Sequence, residues 1–66
     1  MKNRIKDLRE QYQLTQQELA EKVYVSRQTI ISLENGRYNP SLFLAHKIAQ
    51  VFDLFIENVF QFDEEV

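Results

Sequence analysis

Hydrophobic residues recur at helical spacing on both sides of one loop. In the first segment, Ile5, Leu8 and Tyr12 fall at positions i, i+3 and i+7, a spacing that places side chains on one face of an α-helix. The single Gly and the single Pro of the chain lie close together, at Gly36 and Pro40, and they predict a firm loop. The pattern therefore predicts amphipathic helices before and after this loop.

Capping residues divide the pattern into five helices. Thr15 followed by Glu18 has the form of a capping box, Ser26 can cap the next helix, and Gly36 can end it in the left-handed conformation. Either Asn39 or Ser41 is suited to cap a fourth helix. The predicted helices cover about 3–12, from 16 onward, 27–35 and 41–52, with a short fifth helix and an extended tail within 54–62.

The second and third helices have the spacing of a helix-turn-helix. The short joint between Val23 and Ser26 predicts a steep helix crossing, which requires a small residue at the contact, and Ala20 meets that need. The predicted buried positions of this pair are Leu19, Ala20, Val23, Val25, Ile30 and Leu33. An ordinary helical hairpin in a small bundle has similar spacing, so the outward residues must decide between the two interpretations.

The outward face of the predicted third helix carries only hydrogen-bonding side chains. These are Arg27, Gln28, Thr29 and Ser32. Gln and Arg can pair bidentately with adenine and guanine edges in the major groove of DNA. The one acid nearby, Glu34, falls toward the inside. This face favours a DNA-binding motif over a plain hairpin.

Composition limits the chain to one small domain without obvious catalytic chemistry. A chain of 66 residues with 44% hydrophobic residues and no Cys predicts a single folded domain over 1–66, without disulfides or thiolate metal sites. The lone His46 and the terminal Glu64 and Glu65 offer neither a metal site nor a rigid carboxylate pair. We therefore expect no enzyme activity and no cofactor. The lack of a long apolar run and of a signal-like start predicts a cytoplasmic protein.

The net charge of −2 conceals a separation of charge along the chain. Residues 1–47 contain all 8 Lys and Arg but five acids, a balance of +3, whereas residues 48–66 contain the other five acids and no base, a balance of −5. A basic face suits phosphate, and an acidic end is expected to lie away from a DNA duplex.

The motif residues resemble those of the lambda and phage 434 repressor and Cro type of helix-turn-helix regulator from bacteria and phages. The resemblance is carried by the runs Leu14–Ala20, Val25–Ile30, Glu34–Arg37 and Pro40–Leu42 and covers residues 4–60. It extends to short members of this family that lack a sensor domain, among them the cytolysin repressor. It implies an all-α, compact, five-helix lambda-repressor-like fold with the helix-turn-helix at about 16–35.

The resemblance also implies roles for individual residues. Base contacts would come from Arg27, Gln28, Thr29 and Ser32, and contacts to the DNA backbone from Gln16, Gln17, Ser26, Asn35, Arg37 and Tyr38. Arg9 and Glu34 would form a structural salt bridge. Many relatives have Gly in the turn where this chain has Tyr24. Tyr24 is therefore expected either to accept a strained positive φ or to alter the turn.

The carboxyl end carries more apolar side chains than one small core needs. Phe52 and Phe60 are predicted to be core residues, whereas a twofold homodimer interface at about 54–62 would use Phe55, Ile56, Val59 and Phe62. Pairing of residues 1–3 with residues 61–63 as a short β-ribbon is a further expectation.

The predicted function is a homodimeric transcriptional repressor that binds an inverted-repeat operator in double-stranded DNA. Two alternatives share the fold: an antitoxin whose acidic, aromatic carboxyl end binds a toxin, and a protein-interaction module that has lost DNA binding. The absence of acids from Arg27 to Ser32 speaks against the latter. Any protein partner is unidentified at this level.

Overall fold

The chain folds as a small bundle of α-helices. A computed structural model describes residues 1–61. The helices in this part are α1 (Ile5–Gln11), α2 (Gln16–Lys22), α3 (Arg27–Glu34), α4 (Leu42–Val51) and α5 (Ile56–Val59). The predicted all-α class and helix order are confirmed, and the observed helices are shorter than predicted by one or two residues at several ends.

Side-chain hydroxyls set the starts of three helices. The Thr15 hydroxyl accepts a hydrogen bond from the backbone N–H of Glu18 at 3.0 Å, and the Thr15 N–H donates to the Glu18 carboxylate at 2.8 Å. This is the predicted capping box. Ser26 caps α3, and Ser41 rather than Asn39 caps α4 through the Leu44 N–H at 3.1 Å. Local sequence therefore fixes where these helices begin.

Four connections between helices contain a residue in the left-handed conformation. Gly36 has φ 73°, and Tyr24 has φ 62° at the turn between α2 and α3. Gln13 and Asp53 also have positive φ. The expected helix-turn-helix turn is therefore formed with Tyr24 in it, at a steric cost that Gly would not incur.

The core is entirely apolar within the described residues. Every helix contributes to it, and no polar or charged side chain is buried there. Its members are Ile5, Leu8, Leu19, Ala20, Val23, Ile30, Leu33, Leu44, Ala45, Ile48, Ala49, Phe52, Val59 and Phe60. Phe52 and Phe60 are core residues as predicted, and the small Ala20 is fully buried.

The two ends of the described chain pair with each other. Asn3 and Phe60 form an isolated antiparallel bridge, flanked by hydrogen bonds from the Arg4 N–H to the Val59 carbonyl at 2.8 Å and from the Gln61 N–H to the Lys2 carbonyl at 2.9 Å. Pairing thus begins at Phe60, one residue earlier than predicted. The rest of the predicted ribbon, at residues 62 and 63, lies outside the described residues.

Within residues 1–61, no helix is long and apolar enough to cross a membrane. His46 is exposed on α4, and this same range contains no cluster of His, Cys, Asp and Glu suited to a metal ion.

Candidate nucleic-acid interface

The first turn of α3 is held rigid by its own cap. The Ser26 hydroxyl accepts a hydrogen bond from the Thr29 N–H at 3.2 Å and lies 3.0 Å from the Thr29 hydroxyl. Arg27 and Gln28 follow the cap directly, and both are exposed. The cap therefore fixes the backbone from which these two long side chains project into solvent.

A shallow cleft joins the outward face of α3 to the following loop. It has a volume of about 350 Å³ and is lined by Ser26, Gln28, Thr29, Ser32, Arg37 and Tyr38. The cleft thus brings residues predicted to contact bases together with residues predicted to contact phosphates. None of its lining residues is acidic, so nothing on its walls repels a phosphate backbone.

The loop after α3 is shaped by its backbone hydrogen bonds. The Arg37 N–H donates to the Ser32 carbonyl at 3.0 Å, and the Gly36 N–H donates to the Leu33 carbonyl at 3.0 Å. A side chain at Gly36 would be strained by its φ of 73° and would meet the Met1 carbonyl oxygen at 3.3 Å. This loop leaves Asn35, Arg37 and Tyr38 exposed beside α3.

An ion pair connects α1 with the end of α3. The Arg9 Nε donates to Glu34 Oε2 at 2.8 Å, and Arg9 Nη1 donates to the Leu14 carbonyl at 2.9 Å. The two charged side chains are only 12% and 7% exposed. The expected salt bridge is therefore present, and it neutralises Glu34, the one acid of α3.

The same carboxylate holds Gln16, which in turn contacts Arg27. Gln16 Nε2 donates to Glu34 Oε1 at 3.1 Å, and Arg27 Nε donates to Gln16 Oε1 at 3.3 Å. A chain of hydrogen bonds thus runs from Arg9 through Glu34 and Gln16 to Arg27. It orients the starts of α2 and α3 relative to each other.

A second cleft, of about 750 Å³, lies at the start of α2. It is lined by Arg9, Thr15, Gln16, Gln17 and Arg27. Gln17 Nε2 donates to the Glu21 carboxylate at 3.1 Å, so its amide is already oriented along the outside of α2. The exposed Arg27 and the two amides are suitable donors to phosphate oxygens, whereas the Arg9 side chain is 12% exposed and is already bound to Glu34.

The pKa of Glu18 is lowered from its ordinary value of 4.5. The hydrogen bond from the Thr15 backbone N–H has the largest effect, followed by the bond with the Thr15 side chain, and the charge of Lys22 adds to both. The carboxylate form that completes the α2 cap is thereby favoured.

Comparison with known proteins identifies the family. Residues 5–54 match the model of a family described as helix-turn-helix. The chain belongs to this family. It is 57% identical over 65 residues to an uncharacterized HTH-type transcriptional regulator of the archaeon Archaeoglobus fulgidus, covering 98% of this chain and 92% of the relative. It is 46% identical over 65 residues to the HTH-type transcriptional regulator YgzD of Bacillus subtilis, covering 98% of each.

Two further similarities concern a repressor and a solved complex. The regulator is 46% identical over 46 residues to the immunity repressor protein of Bacillus phage phi105, covering 70% of this chain and 32% of the repressor. A chain in the structure of the SinR protein/SinI protein complex superimposes with a TM-score of 0.78 at 29% identity. That match covers 96% of this chain and 63% of the solved one. These relationships make the protein a DNA-binding transcriptional regulator rather than an enzyme.

The apolar surface of the regulator differs from the one expected from sequence. Val59, predicted to belong to a dimer interface, is 1% exposed and packs in the core, because the pairing of Asn3 with Phe60 draws this segment inward. Phe55 is 75% exposed as an interface residue would be, and Ile56 is half-buried. Phe62 lies outside the described residues.

Two exposed apolar residues at the start of α4 were missing from the predicted interface. Leu42 is 77% exposed and Phe43 is 70% exposed, and both line a cleft of about 390 Å³ with His46 and Ile56. We call Leu42, Phe43, Phe55 and Ile56 the apolar patch. The signal was available in the sequence, since Leu42 and Phe43 lie off the buried stripe of α4.

Proposed function

We propose that this regulator is a homodimeric repressor that binds an inverted-repeat operator, with α3 of each subunit in the major groove. The observation that carries the proposal is the acid-free outward face of α3, where Gln28, Thr29 and Ser32 share a cleft with Arg37 and Tyr38. A helix that presents amide, guanidinium and hydroxyl groups together can read base edges while its neighbours bind phosphates.

Base reading is assigned to Arg27, Gln28, Thr29 and Ser32. Contacts to the DNA backbone are assigned to Gln16, Gln17, Ser26, Asn35, Arg37 and Tyr38. In this arrangement Gln16 acts from a fixed position because Glu34 already binds its amide nitrogen. Ser26 has a smaller part, since its hydroxyl is engaged in the cap of α3.

Dimerisation is assigned to the apolar patch. Exposed apolar surface on a small domain is typical of interfaces, and three of the four patch side chains are at least 70% exposed. A standard interface buries about 800 Å² per partner. The four patch residues would reach this area only together with the residues around them. A twofold dimer would place two copies of α3 in successive major grooves, about 34 Å apart.

Repression by occupancy of a promoter follows from this arrangement. One of the relatives is named an immunity repressor, which supports the assignment of repression. Such a regulator would act in the cytoplasm, where the DNA is accessible.

The decisive experiment is selection of genomic DNA fragments by the purified protein at about 150 mM salt, followed by sequencing, because affinity for DNA depends steeply on salt. Enrichment of a short inverted repeat, with half-sites one helical turn apart and within promoters, is the expected result. Enrichment of single, unrepeated half-sites would contradict the homodimer, and no enrichment would contradict operator binding by this chain.

A further inference from the structure

A groove lies between the end of α1, the turn after α2, and α4. It has a volume of about 630 Å³ and is lined mainly by Tyr12, Lys22, Tyr24 and Lys47, with Leu14 and Val51 as apolar walls. We call it the tyrosine–lysine groove. None of its lining residues belongs to either of the two clefts assigned to DNA.

Tyr24 combines backbone strain with almost complete exposure. Its φ is 62°, a conformation that Gly adopts without a steric cost, and its side chain is 83% exposed. The side chain is not part of the core. Residues held in sparsely populated backbone conformations cluster at functional sites, and Tyr is enriched among residues that anchor interfaces.

Lys47 connects the groove to the apolar patch. Its Nζ lies 5.1 Å from the centre of the Tyr24 ring and 4.5 Å from the centre of the Phe43 ring, distances at which a cation is attracted to an aromatic face. Phe43 belongs to the apolar patch, so the groove and the patch form one continuous surface. A second copy bound at the patch would therefore lie beside the groove.

The groove is basic, whereas the carboxyl end of the same chain is acidic. Two lysines and no acid line the groove, and the segment 62–66 contains Phe62, Asp63, Glu64 and Glu65. We propose that the tyrosine–lysine groove binds segment 62–66 of a second copy of this chain. The inference rests on the homodimer proposed above and adds an electrostatic contact to it.

The position of Gln61 favours a second copy over the same chain. The Gln61 N–H donates to the Lys2 carbonyl at 2.9 Å, so the last described residue lies beside the start of the chain, just before α1. Tyr12, in the groove, follows the other end of α1. In a dimer that meets at the patch, the groove would lie beside the interface, since Lys47 contacts Phe43, and a partner's segment could be presented to it there.

Charge reversal on each side of the contact tests the proposal. Lys47→Glu should weaken dimerisation about tenfold in sedimentation equilibrium without DNA, whereas Lys6→Glu, the same charge change on exposed α1, should alter it less than twofold. Glu64→Lys combined with Glu65→Lys should also weaken the dimer. A chain that carries all three substitutions should regain most of the dimer affinity, because the charges on the two sides of the contact are again opposite. Thermal unfolding of each variant verifies that it is folded.

Three outcomes would overturn the inference. The first is a Lys47→Glu dimer as strong as the Lys6→Glu dimer, and the second is a combined variant that does not regain affinity. The third is a shift in the NMR signals of the Tyr24 ring when residues 62–66 are removed from a monomeric Phe55→Asp variant, because such a shift would mean that the segment binds the groove of its own chain. The first two results leave the homodimer intact. If the unaltered chain sediments as a monomer throughout, the proposed dimer fails instead.

Discussion

The surface around α3 and the apolar patch are built in opposite ways. Around α3, polar side chains are fixed to one another, as in the chain of hydrogen bonds from Arg9 to Arg27. In the patch, Leu42 and Phe55 project into solvent. A polar surface must be oriented before it can recognise bases selectively, whereas an apolar surface gains its free energy when a partner removes it from water. The first is complete in one chain, and the second, in the proposed homodimer, is completed by another.

The patch should be the more sensitive of the two surfaces to a new charge. Phe55→Asp and Ile56→Asp should each yield monomers and lower operator affinity at least a hundredfold, because a dimer binds two half-sites together. Phe55 occupies the N-cap position of α5, where Asp is a favourable residue, so this variant should stay folded. Sedimentation measures the monomer, and dimers that persist in both variants would contradict the interface.

Removal of the Glu34 charge tests how much its ion pair with Arg9 stabilises the surface around α3. Glu34→Gln leaves the largely buried Arg9 guanidinium without its ion partner and should cost about 2 to 3 kcal/mol of stability, below the cost for a fully buried pair. Thermal unfolding measures this loss. An exposed control, Glu10→Gln, should change stability by less than about 0.5 kcal/mol. Equal effects of the two substitutions would refute a special role for Glu34.

The polar surface itself should divide into base-reading and phosphate-binding parts. Gln28→Ala should cost about 1 to 3 kcal/mol of binding and relax the preference at one base pair. Arg37→Ala should weaken all sequences alike and reduce the salt dependence of binding. Binding to a panel of single-base operator variants distinguishes them. If both variants lose affinity uniformly, the assignment of the reading face is wrong.

The turn that connects α2 to α3 should tolerate a change that relieves strain. In the monomeric Phe55→Asp background, where no subunit contact is at stake, Tyr24→Gly should raise the melting temperature, since relief of the positive φ is worth about 1 kcal/mol and is only partly offset by the extra freedom of Gly when unfolded. Tyr24→Ala, which keeps the strain but removes the ring, is the matched control and should not raise it. A clear fall in melting temperature for the Gly variant would contradict this account.

The smallest expected effect is on the stability of the protein at acidic pH, through the Glu18 carboxylate in the cap of α2. Because the pKa of Glu18 is lowered in the folded protein, its contribution to stability is present above the ordinary pKa of 4.5 and is lost as pH falls through the lower folded value. Glu18→Gln should therefore flatten the stability profile in this acidic range. Chemical unfolding at a series of pH values measures it, and an identical slope in both proteins would exclude the effect.

Features that depend on near neighbours in the chain could be predicted from sequence. The caps at Thr15, Ser26 and Ser41 involve residues three positions apart, so local spacing is enough to find them. The left-handed conformation of Gly36 could be predicted in the same way, because Gly directly after a helical segment commonly ends it. The outward face of α3 could be predicted because helical periodicity separates it from buried Ile30 and Leu33.

Features that depend on packing could not be found in this way. Val59 is buried because its neighbour Phe60 pairs with Asn3, a contact between the two ends of the described chain. Gln16 binds Glu34 across 18 positions, and its amide could equally have pointed into solvent. The α4 pattern placed Leu42 off the buried stripe, but only the packing of α5 shows that it joins Ile56 in one cleft.

The bridge between Asn3 and Phe60 also affects when the growing chain can finish folding. It closes a loop that contains nearly the whole described chain, and such long closures cost more entropy than the short contacts between successive helices. Val59 and Phe60 complete the core, so a growing chain cannot finish folding on the ribosome until residue 60 has emerged. The amides of Arg4 and Gln61 should consequently be among the first to exchange with solvent.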